Sequence, residues 1–249
     1  MKSNQGLFNR FKTHYILFVC LLLSATAMAQ TPSTHPVTLE PVGTHSIFGK
    51  IDGIAIEGMV QSPSNEVTPL QVICLFEYTE NDIFTSPPAL PAAANGIVHV
   101  DKQLNGLIQD LRKSGKFSGH LRETLLITPP KGTIGAKRLL LIGLGDRTKF
   151  TPDLMIDIGR IGMREALVLG VSSYAHGSDL KDGGIDSPTG LVATNVVKGA
   201  FEAYETDLYL QSKHATSKKP LVKITMLAGQ AFYDPSGVAI KQYLKGRHN

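Results

Sequence analysis

The sequence predicts an α/β fold built on a mixed, mostly parallel sheet with helices on both faces. Short apolar runs of strand length alternate with longer segments of helical periodicity along most of the chain, which is typical of such layers. The run from Leu70 to Phe76 is continuously apolar, as in a strand buried on both faces. A length of 249 residues with 42% hydrophobic residues suits one domain of moderate size.

Residues 1–29 have the pattern of a secretory signal peptide. Basic residues without any acid precede the apolar run 15–23, and Ala27 and Ala29 place small residues at the −3 and −1 positions of a cleavage site. The apolar run is too short to span a bilayer. We expect a soluble exported product, periplasmic or extracellular, with no membrane anchor after cleavage near Ala29.

The charge balance of the mature chain argues against nucleic acid as a partner. Cleavage removes Lys2, Arg10 and Lys12, so the net charge falls from +4 to +1 and no basic excess remains. Cys74 is then the one cysteine left, which excludes an internal disulfide. Its apolar neighbours predict a buried, unreactive thiol.

The chain divides into three parts after the signal peptide. Residues 30–45 lack apolar periodicity and are predicted to be an exposed leader. Residues 46–232 hold the alternating pattern and form the predicted folded domain. Residues 233–249 begin like one more helix, and we expect a truncated C-terminal linker helix or tail there.

The predicted elements follow from apolar runs, caps and prolines. Asp101 is a candidate cap for a helix through 104–111, and prolines after Thr151 and Ser187 mark two further helix starts. Strands are predicted from runs rich in β-branched and other apolar residues. These strands lie within 47–60 and at 70–76, 97–100, 123–128, 138–142, 166–171 and 221–227.

Three segments in a fixed order resemble a known family. They are Phe117–Ile127, Lys137–Gly145, which closes in Gly-Leu-Gly, and Phe150–Leu154. In this order and spacing the chain resembles the N-terminal domain of the leucyl aminopeptidase (cytosol aminopeptidase) family. The likeness extends over about residues 45–245 and is most specific between 97 and 160.

The resemblance implies a macro-domain-like three-layer sandwich that is not itself the peptidase. In the family, a separate catalytic domain holds two metal ions and carries an Asn-Thr-Asp-Ala-Glu-Gly-Arg-Leu motif, which this sequence lacks. We therefore expect a secreted, non-catalytic module for protein binding, oligomerisation or regulation, with no catalytic residues, metal ligands or cofactor. Its expected partner is a full-length aminopeptidase or a second copy of itself. A catalytic domain on another chain, with this one as its accessory, is an alternative.

A second alternative is a macro-like binder of a nucleotide or ADP-ribose-type small molecule. Such ligands lie beyond the carboxyl ends of strands in α/β sheets, so loops after predicted strands hold the candidate residues. The candidates are Gly143, Leu144, Gly145, Asp146, Ser172, Ser173, Asp182, Gly183 and Gly184. Gly143 and Gly145 match half of a dinucleotide-binding fingerprint, but Thr148 occupies the position of its third glycine. The two glycines are therefore expected to permit a tight turn and close packing.

Other polar residues favour structural interpretations. Asp179, Asp182 and Asp186 group oxygen ligands that suit Ca²⁺, yet their spacing matches no calcium loop, and we expect a solvated loop. The histidines, including His99, His120 and His176, show no metal-ligand spacing and are expected at the surface or in satisfied structural positions. Ser172 and Ser173 lie near His176, but no nucleophile elbow of the Gly-x-Ser-x-Gly type occurs.

Overall fold

The computed structural model describes residues 39–85 and 90–247. The predicted signal peptide and residues 30–38 of the predicted leader lie outside this range. The described residues belong to one compact unit. Within these two ranges, no helix has the length and apolar character needed to cross a membrane.

A seven-stranded mixed sheet forms the middle of the structure. Its five central strands run parallel, and an antiparallel strand lies at each edge, in the order β1-β2-β7-β6-β3-β5-β4. The strands are β1 (His45–Ile51), β2 (Ile54–Val60), β3 (Gln71–Phe76), β4 (Thr124–Ile127), β5 (Leu139–Gly145), β6 (Ser173–His176) and β7 (Lys223–Ala228).

Helices cover the sheet from two sides and give three layers. They are α1 (Asp82–Thr85), α2 (Gly96–Gln103), α3 (Leu107–Lys113), α4 (Leu154–Leu169), α5 (Thr189–Ser212) and α6 (Tyr233–Arg247). The first three share one apolar core with the sheet, and the last three share the other. Buried Ile240 and Leu244 of α6 lie in the second core, so the C-terminal helix packs as part of the same unit. The predicted fold class is confirmed.

Strand β3 shows why the central strands are apolar throughout. Val72 and Cys74 point into the core beneath α4–α6, whereas Ile73 and Leu75 point into the core beneath α1–α3. Every residue of β3 is buried. The expectation of a buried Cys74 is confirmed, and burial raises the pKa of its thiol well above the ordinary value.

The chain changes direction between β3 and β6. After β3 it passes to the layer of α1–α3, whereas after β6 it enters α5 in the opposite layer. The two strands are neighbours, but only Gln71 with Ala175 and Val72 with His176 pair between them. Strands that diverge in this way leave a crevice beyond their carboxyl ends, which is where α/β proteins usually bind ligands.

The strand predicted at 97–100 is wrong, because these residues belong to α2. Asn95 caps this helix, and its side-chain oxygen accepts a hydrogen bond from the backbone of Val98 at 3.0 Å. The single helix predicted after Asp101 is also wrong, since α2 ends at Gln103 and α3 begins at Leu107. Asp101 nevertheless accepts from the backbone N–H of Gln109 in the first turn of α3.

The strand predicted at 166–171 is wrong as well. Helix α4 continues through Ala166 to Leu169 and ends at Gly170, which adopts a left-handed φ of 63°. The apolar run arises because Ala166 and Leu167 continue the buried stripe of this helix. The real strand, β6, lies within residues 172–186, whose polar and glycine-containing sequence predicts a loop.

Helices α4 and α5 pack so closely that glycines are required where they cross. A Cβ atom at Gly199 would lie 1.7 Å from the backbone oxygen of Ile156, and one at Gly159 would lie 2.1 Å from the oxygen of Val196. Real Cβ atoms do not approach backbone this closely, so the two helices cannot stay in place if either glycine gains a side chain.

Gly199→Ala should therefore destabilise the protein by about 1–3 kcal/mol or more through overpacking. Gly246→Ala, in α6 with open space around it, is the matched control. It should be neutral or stabilising by up to about 1 kcal/mol because alanine favours helix. Urea unfolding of the two variants tests this difference. Equal stabilities would contradict the close crossing of α4 and α5.

Candidate functional site

A cavity of about 310 Å³ lies beyond the carboxyl ends of β2, β6 and β7. Its walls come from the segments that follow these strands and from the first turns of α2, α5 and α6. Residues from both helical layers therefore meet around one space at this end of the sheet. A concave, mostly preformed site of this kind is the usual form of a small-molecule site.

The body of the cavity is apolar. Phe48, Leu180, Val192, Met226 and Tyr233 line it and are all buried. The rings of Phe48 and Tyr233 pack against each other with their centroids 5.5 Å apart. These side chains give the cavity walls that favour an apolar ligand surface.

Asp182 joins the loop after β6 to helix α2. Its Oδ2 atom accepts hydrogen bonds from the backbone N–H groups of Gly96 at 2.9 Å and Ile97 at 3.2 Å. Asn95 strengthens the junction, because its Nδ2 atom donates to the backbone oxygens of Asp182 and Ile83, each at 3.0 Å. The Asp182 carboxylate thus accepts from N–H groups in the first turn of α2 that have no partner within the helix, although Asp182 is distant from them in sequence.

Asp179 fixes the same loop to strand β3. Its Oδ2 atom accepts from the backbone N–H of Cys74 at 3.0 Å. Because β6 pairs with β3 only as far as His176, the carboxylate takes the place of a strand partner at Cys74. Asp179 adopts a left-handed φ of 55°, an uncommon conformation for a residue other than glycine.

The opposite side of the crevice is held by a buried ion pair. Both terminal nitrogens of Arg112 donate to the carboxylate of Asp82, at 2.8 and 2.6 Å, and one also donates to the backbone oxygen of Phe76 at 2.9 Å. Charges buried in this way are stable only when their hydrogen bonds are made. This pair fixes the end of β3 next to the loop that Asp179 and Asp182 hold.

The solvated loop expected around these acids is wrong for two of them. Burial raises the pKa of Asp182 to about 7, and burial together with the charge of Asp182 raises the pKa of Asp179. Asp186 is exposed, and its ion pair with Lys181 lowers its pKa. In residues 39–85 and 90–247, no group of three His, Cys, Asp or Glu side chains is placed to hold a metal ion.

His176, at the end of β6, lines the cavity and is fully buried. Neither ring nitrogen has a hydrogen-bond partner among the described residues. Burial lowers the pKa of His176 to about 4, so the ring is neutral near pH 7. The expectation of a surface or satisfied histidine is therefore wrong here. The burial of His176 was not predicted because the sequence did not indicate a strand at β6.

The glycines of the Gly143-Leu144-Gly145 segment serve packing. All three residues are buried in β5, and a Cβ atom at Gly143 would lie 2.0 Å from the backbone oxygen of His120. Gly145 has a left-handed φ of 75°. Asp146 is a half-buried cap whose carboxylate accepts from the backbone N–H of Thr148 at 2.9 Å. None of these four lines the cavity.

The other predicted ligand residues are not brought together. Ser172 and Ser173 lie at the amino end of β6, the end of the sheet opposite the cavity, and so lie apart from His176 as well. Gly183 packs against the ring of Phe76, where a Cβ atom would approach to 3.0 Å, and Gly184 has a left-handed φ of 82°. Of the nine candidates, Asp182 alone lines this cavity.

The raised pKa of Asp182 predicts how stability changes with pH. The folded state holds its proton up to about pH 7, whereas the unfolded group releases it near pH 3.8, so this group stabilises the fold less as pH rises through that interval. The lowered pKa of His176 acts in the opposite direction between about pH 4 and 6.5, so the comparison must be between variants.

Asp182→Asn keeps an oxygen acceptor for the two N–H groups and removes the titration. We expect its stability to rise relative to the parent protein as pH increases from 4.5 to 7.5. Asp186→Asn, at an exposed aspartate in the same loop, is the control and should show no such rise. Guanidinium unfolding at several pH values measures the difference, and parallel pH curves for Asp182→Asn and the parent would contradict the buried, raised carboxyl.

Comparison with known proteins identifies the family. The model of the cytosol aminopeptidase family, N-terminal domain, matches residues 83–211. A probable cytosol aminopeptidase of Roseiflexus castenholzii is 37% identical over 75 residues, which are 30% of this chain and 15% of that protein. One of Nitrosococcus oceani is 26% identical over 144 residues, 55% of this chain and 27% of that protein.

Solved structures show the same fold. A tomato leucine aminopeptidase mutant superposes with a TM-score of 0.55 at 19% identity, covering 77% of this chain and 36% of that one. The Oceanobacillus iheyensis macrodomain with MES bound superposes with a TM-score of 0.52 at 14% identity, covering 82% of this chain and 98% of the macrodomain. At these identities the likeness establishes the fold alone.

The family match and the shared fold confirm the resemblance inferred from the sequence. The chain spans about a quarter or less of the curated relatives and about a third of the tomato enzyme. The family model covers just over half of this chain, including α2–α5 and the sheet strands β4–β6. The chain therefore belongs to the cytosol aminopeptidase family, whose N-terminal domain it contains.

Proposed function

We propose that this chain is a non-catalytic binding domain that holds a small molecule in the cavity at the carboxyl ends of its strands. The observation that carries the proposal is the preformed cavity of about 310 Å³ beyond the carboxyl ends of β2, β6 and β7. Hydrogen bonds of Asp179 and Asp182 fix one wall of it. Ligand sites in open α/β sheets are found at this position.

The fold neighbours support a ligand-binding role. The Oceanobacillus iheyensis macrodomain with ADP superposes with a TM-score of 0.50 at 15% identity, covering 82% of this chain and 98% of the macrodomain. A nucleotide or ADP-ribose-type compound is therefore one class to test on this chain. The non-catalytic part of the proposal is supported by the sequence, which lacks the metal-binding motif that the family resemblance implies for the catalytic domain.

A blocking substitution tests whether a ligand uses this cavity. Ala94 lines the cavity and is exposed, whereas its neighbour Ala92 is exposed without lining it. In a thermal-shift series with ADP, ADP-ribose, leucine and phenylacetamide, at least one compound should stabilise the protein. At one hundred times its dissociation constant a ligand adds about 2.7 kcal/mol, a shift of about 5–10 °C.

That shift should disappear in Ala94→Trp and persist in Ala92→Trp, because only the first indole fills the cavity. Both substitutions are at exposed positions, so unliganded melting temperatures should stay close to that of the parent. A ligand that binds Ala94→Trp as well as the parent would place the site elsewhere on the protein.

Association with a full-length aminopeptidase, or with a second copy, is the other candidate function. The family match favours it, because the relatives carry this domain as one part of a longer chain. Export of the chain is part of this proposal, because the first 29 residues have the composition of a signal peptide.

Expression of the full chain in a bacterial host tests both points together. The intact mass of protein from the periplasmic fraction should correspond to a start at Gln30, and light scattering should give a mass of a dimer or larger. A monomer that does not co-elute with an added full-length family member would contradict association. Recovery of uncleaved chain from the cytoplasm alone would contradict export.

A further inference from the structure

We propose that a second copy of this chain pairs with strand β4 at the edge of the sheet. The two β4 strands run antiparallel about a twofold axis at Leu126 and join both sheets into one. The inference rests on the self-association proposed above and names the surface that forms it. Three features support it: the free backbone groups of β4, the self-complementary sequence of this strand and the different character of the other edge strand, β1.

The inner edge of β4 is paired with β5. Gly143 donates its backbone N–H to the backbone oxygen of Glu123 at 2.7 Å, so these two residues form a hydrogen-bonded pair. Hydrogen-bonded and non-hydrogen-bonded pairs alternate along an antiparallel ladder. Leu125 and Ile127, the second and fourth residues after Glu123, therefore direct their backbone groups toward β5.

The outer edge of β4 has no partner among the described residues. By the same alternation, the N–H and C=O groups of Thr124, Leu126 and Thr128 point away from β5. No hydrogen bond joins these groups to another described residue, and all three residues are exposed. A row of unpaired backbone groups on an exposed strand is a template for pairing with another chain.

Antiparallel pairing centred on Leu126 joins all of these outer groups. Leu126 lies opposite Leu126 of the second copy, and Thr124 lies opposite its Thr128, so each pair exchanges two hydrogen bonds. On the face that packs against the core beneath α1–α3, Leu125 lies opposite Ile127 of the second copy. Apolar pairs of this kind stabilise neighbouring strands. Because both copies contribute the same residues, the contact closes at a dimer.

The flanking residues fix this register. A centre on Leu125 would place Arg122 opposite Thr128, but Arg122 has a left-handed φ of 63° and is not extended. A centre on Ile127 would place Thr124 opposite Pro130, which has no N–H to donate. The centre on Leu126 keeps the whole of residues 124–128 paired.

Charges beyond the two ends of β4 are complementary about the same axis. Residues 124–128 carry no charge, so the pairing opposes no like charges within the ladder. Glu123 precedes this segment and Lys131 follows it, and antiparallel pairing brings the start of one strand beside the end of the other. Lys131 is exposed and forms no ion pair with another described residue. Each copy thus brings an available ammonium group near Glu123 of the other.

The opposite edge of the sheet is protected against such pairing. The ladder of β1 with β2 is irregular between Ile47 and Gly49, and an irregularity of this kind bends an edge strand. Strand β1 also carries the exposed side chains of His45 and Lys50. Bulges and lysines are common devices that keep edge strands from associating. Strand β4 has neither, which favours it as the edge that pairs.

Sedimentation equilibrium of the purified protein tests this edge. The parent should show a reversible equilibrium between monomer and dimer. Leu126→Lys should weaken dimerisation at least about tenfold, because it sets two ammonium groups opposite each other on the axis. Leu126 is 39% exposed, so the melting temperature of the dilute variant should stay close to that of the parent. Ile47→Lys, at a position 48% exposed on β1, is the matched control and should leave the dimer constant unchanged.

A pair of double substitutions tests the register. Thr124→Lys with Thr128→Glu sets opposite charges face to face between the copies, whereas Thr124→Lys with Thr128→Lys sets like charges face to face. Both variants use exposed positions and differ only at position 128. The first should dimerise at least as tightly as the parent, and the second at least about tenfold more weakly than the first.

The outcomes separate this surface from the proposed association. A dimer that Leu126→Lys does not weaken, or that Ile47→Lys weakens equally, would overturn the pairing of β4 and leave self-association in place. Equal dimer constants for the two double variants would overturn the antiparallel register. A parent that stays monomeric at every concentration would overturn this inference. Failure of that monomer to co-elute with an added full-length family member would overturn the association function as well.

Discussion

The hydrogen bonds between the carboxylate of Asp182 and the first turn of α2 join the two helical layers where the sheet diverges. Chain segments leave β3 and β6 toward opposite helical layers, and only two residue pairs join those strands. Asp182 reaches across this gap to Gly96 and Ile97, and Asn95 bonds back to the Asp182 backbone. Loss of the carboxylate would leave two buried donors unpaired, at a cost of about 1–3 kcal/mol each. The shape of the cavity depends on this junction.

The segment that builds the cavity is costly to fold. Within seven residues it holds a buried histidine without a partner and two buried aspartates with raised pKa values. By contrast, the buried charges of Arg112 and Asp82 are paired with each other. Proteins tolerate concentrated electrostatic strain mainly at functional sites. The concentration of these groups on one wall of one cavity supports a binding role for it.

The sequence predicted the fold class well because its longest apolar patterns are unambiguous. Strand β3 is buried on both faces, and proline after Ser187 marks the start of α5. Short apolar runs were less informative, since periodicity does not distinguish a four-residue strand from a helical turn. Residues 97–100 have strand-like composition but lie within helix α2. The run 166–171 likewise begins in the last turn of α4, which ends at Leu169.

The site was harder to predict for a related reason. Strand β6 has only four residues, Ser173–His176, and its position was read as part of a polar loop. Because the strand was predicted at 166–171 instead, the burial of His176 was not predicted, and Asp179 and Asp182 were expected to be solvated. Glycines at 143 and 145 drew attention to β5, where they serve close packing. Asp182 was among the candidates because its loop follows the run 166–171; most of that run is helical, but the loop does follow a strand, β6, and the carboxylate of Asp182 caps α2.

Amide hydrogen exchange in the ligand-free protein tests the preformed cavity most directly. The N–H groups of Cys74, Gly96 and Ile97 are held by Asp179 and Asp182. If these bonds fix the wall, all three amides should exchange nearly as slowly as the core of β3, through an opening close to global unfolding. Exchange of these amides as fast as that of an exposed loop would contradict a preformed wall, and with it the account of the cavity as a binding site.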